Sequence, residues 1–205
     1  MTIKDPFNNV TNITYDSKGN PIRLASPLNR TARMAFNPVG LPTVMTDTLG
    51  TVANFAYDQQ GNLTSLNWGG VRNAAFAYTL YGYLQSMIDP LGRGFAYQYD
   101  VHGRLTQETL PGARTVRYQY DAAGHLTALT PPDHPAHTFE YDGLGQITAY
   151  IPPAVTGAEN PRTSYEYNKA QQLTKLTRPD GLAISYGYDS AGRLQNSQFS
   201  RGVLG

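Results

Sequence analysis

Six aspartates stand at matching places along the chain, Asp16, Asp58, Asp100, Asp121, Asp142 and Asp189, each directly after a tyrosine and three residues before a glycine. Carboxylates gathered at one point can share acid and base work. These occur singly, one for each Tyr-Asp-x-x-Gly segment, where an aspartate has a structural use: its oxygen accepts hydrogen bonds from backbone amides two or three residues on and so closes a turn. The only local cluster of metal-ligand types is Asp133-His134-Pro135-Ala136-His137. It lies in a proline-rich turn with no further His or Cys nearby, whereas a metal site needs about four ligands. Hydroxyls are plentiful, yet there is no Gly-x-Ser-x-Gly elbow and no Walker-type phosphate loop. With no cysteine there are no disulfides, thiolate metal sites or cysteine nucleophiles. Asn9, Asn12, Asn29 and Asn62 begin Asn-x-Ser/Thr triplets, which matter only in a eukaryotic secretory route. No catalytic residue, metal or cofactor is assigned, and the chain reads as non-enzymatic.

The elements that hold these residues repeat. The aromatic that opens each segment falls at Tyr15, Phe36, Tyr57, Tyr78, Tyr99, Tyr120, Tyr141, Tyr167 and Tyr188, at intervals of 21 residues except for one of 26. A fixed period of this size marks supersecondary units that bury their apolar faces on one another. Two residues before the anchor stands another large apolar side chain: Phe55, Phe76, Tyr97, Tyr118, Phe139, Tyr165 and Tyr186, with Ile13 and Met34 in the first two units. Alternation of this kind places the pair on one face of a strand. Four residues after the anchor comes Gly19, Gly40, Gly61, Gly82, Gly103, Gly124, Gly145 or Gly192, with Gln171 in the remaining unit. Glycine there fits a type I turn followed by a residue of positive φ, which would set Tyr99 opposite Leu105 across a hairpin. A second, looser turn such as Asp89-Pro90-Leu91-Gly92 or Arg178-Pro179-Asp180-Gly181 leads to the next hairpin. An apolar residue nine places after the anchor, as at Leu66, Leu129 and Leu176, differs in parity from the one at six. Either a bulge inserts there or both faces are partly apolar.

The expectation is an all-β chain: residues 1–205 form one array of about nine repeats, a long antiparallel sheet of consecutive hairpins. So many strands predict strong curvature or a spiral. The stretch 151–164, with three prolines, is the longest loop between repeats. A formal charge of +1 with scattered basic residues gives no call for nucleic acid. No apolar run approaches a membrane span, and Met1 to Val10 lacks the pattern of a cleaved signal peptide.

The period and the segments Tyr99-Asp100-Val101-His102-Gly103-Arg104-Leu105 and Tyr188-Asp189-Ser190-Ala191-Gly192-Arg193-Leu194 closely resemble the YD repeat of the Rhs family, from Tyr15 to about Val203. The resemblance implies a spiralling β-sheet like that of the hollow shell of Rhs polymorphic toxins, the cocoon of insecticidal Tc toxins and the barrel of teneurins. In the bacterial members such a shell encloses a toxin during delivery, often through type VI secretion in interbacterial competition. The family's terminal autoproteolytic core, which opens Asp-Pro-x-Gly, has no counterpart beyond the four residues Asp89-Pro90-Leu91-Gly92, so no protease residues are carried over.

The resemblance therefore implies a segment of a larger shell. Its partners would be other repeats or a toxin cargo, with self-association through open sheet edges. The protein would be a secreted or delivered effector made in the bacterial cytoplasm without a cleaved signal peptide. The competing reading is a surface module that binds carbohydrate or protein through exposed aromatics, with Trp68, beside Gly69 and Gly70 and outside the repeat, as the possible contact.

Overall fold

The structure, a computed structural model, describes residues 1–28, 30–154 and 161–201. These hold nineteen strands of an antiparallel sheet, and among the described residues there is no helix. A short β1 (Thr2–Lys4) precedes four hairpins: β2 (Val10–Tyr15) with β3 (Pro21–Ala25), β4 (Thr31–Phe36) with β5 (Pro42–Thr46), β6 (Val52–Tyr57) with β7 (Leu63–Trp68), and β8 (Arg72–Tyr78) with β9 (Leu84–Ile88). Next come β10 (Gly94–Tyr99) and β11 (Leu105–Leu110). Four more hairpins follow: β12 (Arg114–Tyr120) with β13 (Leu126–Thr130), β14 (His137–Tyr141) with β15 (Ile147–Ile151), β16 (Thr163–Tyr167) with β17 (Leu173–Thr177), and β18 (Leu182–Tyr188) with β19 (Leu194–Arg201). In every hairpin the first strand ends on the anchor aromatic and the second starts six residues later.

Two compact units emerge, Met1–Gln98 with Leu110–Gly112, and Tyr99–Thr109 with the chain from Ala113 onward. In the first, each strand from β1 to β10 pairs with the next. In the second, β12 to β19 do the same. Of the longer loop expected over 151–164, residues 155–160 lie outside the described ones.

The register settles the parity question in favour of a bulge. Tyr120 faces Leu126, Gln119 faces Ala128 and Tyr118 faces Leu129, so Thr127 is the extra residue and the shift falls between Gln119 and Tyr120. The same shift recurs just before Tyr15, Phe36, Tyr57, Tyr78, Tyr141, Tyr167 and Tyr188. One inserted residue turns the strand over, so the apolar residues six and nine after the anchor share a face despite their odd separation. A threonine can use its hydroxyl at that position: Thr43 donates to the Ala35 carbonyl at 3.3 Å and Thr174 to the Glu166 carbonyl at 3.1 Å.

Among the described residues no large side chain is sealed away. Among the described residues the buried apolar side chains are alanines, Ala25, Ala53, Ala74, Ala128, Ala149 and Ala183, while rings such as Phe55, Tyr118, Phe139 and Tyr165 are half-buried. Each unit is stabilised between neighbouring strands rather than by a central core, as nearest-neighbour arrays are. On the opposite face polar pairs replace the rings, with Arg162 gripping both oxygens of Glu140 at 2.6 and 2.7 Å and Lys175 meeting Glu166 at 3.1 Å. Such exposed pairs add little to stability.

The one first turn without glycine carries strain. Gln171 sits at φ 63°, a left-handed conformation that a side chain disfavours by about 1–2 kcal/mol. Gln171→Gly is expected to raise stability by about 0.5–1 kcal/mol, after the greater freedom glycine gives the unfolded chain. Urea melting of the whole chain would show it.

Candidate functional site

Within each unit the residues that recur are brought together along the edge formed by its first turns. At each such turn the residue after the anchor caps the backbone. Asp100 is typical: one carboxylate oxygen accepts the amides of His102 at 2.9 Å and Arg104 at 3.0 Å, while the other takes the Arg104 guanidinium at 2.6 Å. The Gly103 amide donates to the Asp100 carbonyl at 3.0 Å, and Gly103 takes φ 78°. Asn37 and Asn168 cap the same way with an amide oxygen. Several second turns, expected to be looser, have the same geometry: Asp47 receives the amides of Leu49 and Thr51, and Asp89 those of Leu91 and Arg93.

The anchor tyrosines tie repeats together through their hydroxyls. Tyr78 donates to the Leu63 carbonyl at 3.0 Å, Tyr120 to Leu105 at 2.9 Å, Tyr141 to Leu126 at 2.8 Å and Tyr188 to Leu173 at 2.9 Å. Each acceptor begins the second strand of the preceding repeat. Tyr167 reaches Ile147 in the same manner at 2.9 Å, so the longer interval leaves the ladder unbroken. Tyr120→Phe keeps the ring and deletes one rung, with an expected loss of about 0.5–1.5 kcal/mol in denaturant melting.

Sequence reading missed the fifth residue after the anchor. Its side chain turns back to its own aspartate and also reaches forward over the next repeat. Arg104 holds Asp100, lies over the Tyr120 ring at 4.8 Å and donates to the Asp121 carbonyl at 3.1 Å. His125 repeats this arrangement, with Nδ1 2.9 Å from Asp121 and its ring stacked on Tyr141 at 4.7 Å. Gln146 donates to the Gln171 carbonyl at 3.0 Å and Gln172 to that of Gly192 at 2.8 Å. A Cβ on the next turn glycine would stand only 2.6 Å from His125 at Gly145, a tight 3.2 Å from Gln172 at Gly192 and in ordinary contact, 3.7 Å, with Arg104 at Gly124. Gly145 thus serves both the left-handed turn and the approach of a neighbour's side chain. The signal in the sequence was a polar residue recurring at that place, as Asn20, Asn62, Arg104, His125, Gln146, Gln172 and Arg193.

Electrostatics follow the caps. The Asn20 side chain holds the Asp16 carboxyl below its ordinary value, and the His125 side chain does so for Asp121. Partial desolvation opposes the shift at Asp100, but the Arg104 amide and guanidinium outweigh it. Desolvation pushes the Tyr141 hydroxyl upward, as does the nearby Asp121 charge. These are carboxylates held ionised in turns, an arrangement that fixes backbone.

The other residues singled out from sequence are placed apart. His137 bonds the Tyr150 hydroxyl at 2.7 Å and stacks on its ring, while the His134 amide donates to the Pro131 carbonyl. Among the described residues no three His, Asp or Glu side chains gather as metal ligands would. Trp68 closes β7 opposite Ala53 and Arg72 and is 44% exposed. Asn9 and Asn62 spend their side-chain amides on Asp5 and Asp58, and Asn29 lies outside the described residues.

Comparison with known proteins agrees with this geometry. A search of the curated proteins finds no match. Among solved structures, TcdB2-TccC3-TEV aligns with a TM-score of 0.66 at 14% identity, over 95% of this chain and 13% of that one. The Tc holotoxin pore of Photorhabdus luminescens aligns at 0.46 and 15% identity, over 98% of this chain and 14% of that one. The chain therefore spans a small part of the structures it matches, and at this identity the likeness is one of fold. The profile of the Teneurin YD-shell family matches residues 2–204, nearly the whole sequence, and the chain belongs to that family.

Proposed function

We propose that this chain is a non-catalytic structural segment of an Rhs-type shell that encloses a toxin polypeptide for delivery in bacterial competition or virulence. One observation carries the reading. The recurring polar and aromatic residues are spent on joining one repeat to the next, through turn caps, tyrosine hydroxyls and the forward-reaching fifth residue. Such a sheet makes a wall. The family's description as a shell supports enclosure of a polypeptide. On this reading the protein is made in the bacterial cytoplasm and leaves it as part of a delivered effector, with type VI secretion as one route.

To test this, the protein would be isolated as expressed from its own locus and digested with protease before and after denaturation. The reading expects a polypeptide other than the repeats that survives only while the protein is folded. Full digestion of everything outside the repeats under native conditions contradicts it. A second reading, carbohydrate or protein binding by surface aromatics, draws on the exposure of Trp68 and Tyr81. Saturable change in Trp68 fluorescence on glycan titration would favour it.

A further inference from the structure

Strand charges are balanced in the second unit and unbalanced in the first. In the second, Glu140 pairs with Arg162 and Glu166 with Lys175 on the polar face. The first unit contains no glutamate, and its five aspartates, Asp5, Asp16, Asp47, Asp58 and Asp89, are all spent on capping turns. Its strands nevertheless carry Arg23 in β3 and Arg33 in β4, which stand directly opposite each other. Like charges placed so oppose the pairing of their strands. Among the described residues neither arginine has an ion pair. Arg23 donates to the Thr31 hydroxyl at 3.4 Å, and Arg33 is exposed.

The same place in a later repeat is complete. Lys175, eight residues after the anchor Tyr167, faces Glu166 across its hairpin. Arg23 lies eight residues after the anchor Tyr15, and there it faces Thr14. Arg33 in turn faces Thr46 on its other side. The row across four strands therefore runs Thr14, Arg23, Arg33, Thr46, two guanidinium groups flanked by two hydroxyls, with a threonine where the later repeat has its carboxylate. Guanidinium groups hold carboxylates through paired, charge-assisted hydrogen bonds, and the flanking hydroxyls can donate to the same oxygens.

We propose that this row binds an acidic, extended segment of another polypeptide, whose carboxylates take the place that Glu166 holds beside Lys175. Acidic side chains at alternate positions of an extended chain project to one side about 7 Å apart, which brings two of them within reach of the two arginines. Two cations between hydroxyls fall short of the basic stripe that a nucleic acid backbone calls for. The row lies on a strand face, so its occupant needs neither an open sheet edge nor a turn tip. Binding there does not depend on whether the array encloses a toxin.

The probe is a fluorescein-labelled octapeptide of alternating glutamate and threonine, titrated with the full 205-residue chain. Fluorescence anisotropy should rise to saturation, and the peptide with glutamine in place of glutamate should not bind. Arg23→Gln with Arg33→Gln should raise the dissociation constant about tenfold or more with an unchanged circular dichroism spectrum. Thr14→Glu supplies the carboxylate from within the chain and should weaken peptide binding in the same direction, while Lys175→Gln should leave it intact. Absence of saturable binding would overturn the proposal. So would equal binding of the glutamine peptide, binding that survives the arginine substitutions and Thr14→Glu, or binding equally sensitive to Lys175→Gln. A thymidine octanucleotide that binds more tightly than the acidic peptide would overturn it too, by making phosphate the preferred partner. None of these results bears on whether a protected polypeptide is found, so the two ideas fail separately.

Discussion

Gly145→Ala should destabilise its hairpin clearly more than Gly19→Ala destabilises the first. Both glycines adopt left-handed backbone, at φ 79° and 87°, and alanine in that conformation costs about 1–2 kcal/mol. Around Gly19 a new Cβ meets nothing within 4 Å, so only the backbone cost applies. At Gly145 it would stand 2.6 Å from His125 Nε2, and the ring must leave its stack on Tyr141 and its bond to Asp121. The effect should therefore extend into the preceding repeat. Hydrogen exchange would show faster opening at the His125 amide as well as at residue 145 in the variant. Removing the ring by His125→Ser should bring the costs of the two glycine substitutions together, which a double-mutant cycle measures directly. Equal costs in the wild-type background would mean that the forward contact is incidental.

Acid should loosen the whole array over a narrow range. Eight aspartates, Asp5, Asp16, Asp47, Asp58, Asp89, Asp100, Asp121 and Asp189, have carboxyls held below the ordinary value of 3.8. A group whose folded value is lowered stabilises fully above its unfolded value, and that contribution is lost as pH falls through the folded value. The caps are thus intact at neutral pH, and stability should drop steeply below about pH 4 as each turn exchanges an ionised acceptor for a neutral one. The control is already present in the chain, because Asn37 and Asn168 cap without titrating. Asp16→Asn, Asp58→Asn and Asp121→Asn combined should flatten the acid limb of the stability curve. An unchanged acid limb in that variant would remove the turn carboxylates as its cause.

Much of one repeat was legible because it depends on neighbours in sequence. The pairing of Tyr120 with Leu126 and the positive φ of Gly124 follow from alternation and turn chemistry within a dozen residues. The parity conflict between Leu126 and Leu129 was visible too, and its cause became plain only from the pairing of Gln119 with Ala128. What crossed from one repeat to the next was not legible. Nothing local to Arg104 shows that it will lie over Tyr120, and nothing local to Gly145 shows that His125 fills the space a side chain would take. Alternation likewise assigns Tyr118 and Phe139 to a face without showing that they stay half-exposed, since that depends on whether a second layer packs there. Prolines in the second turns suggest looseness, yet Asp47 and Asp89 cap them as tightly as Asp100 caps its own.

Amide hydrogen exchange along the intact chain tests most directly whether neighbouring repeats hold one another. Slow exchange should recur once per repeat at the amides that the caps engage, among them Asn20, Asn62, Arg104, His125, Gln146 and Arg193. Protection confined to one contiguous block, with those amides exchanging freely elsewhere, would contradict an array built from mutually supporting hairpins.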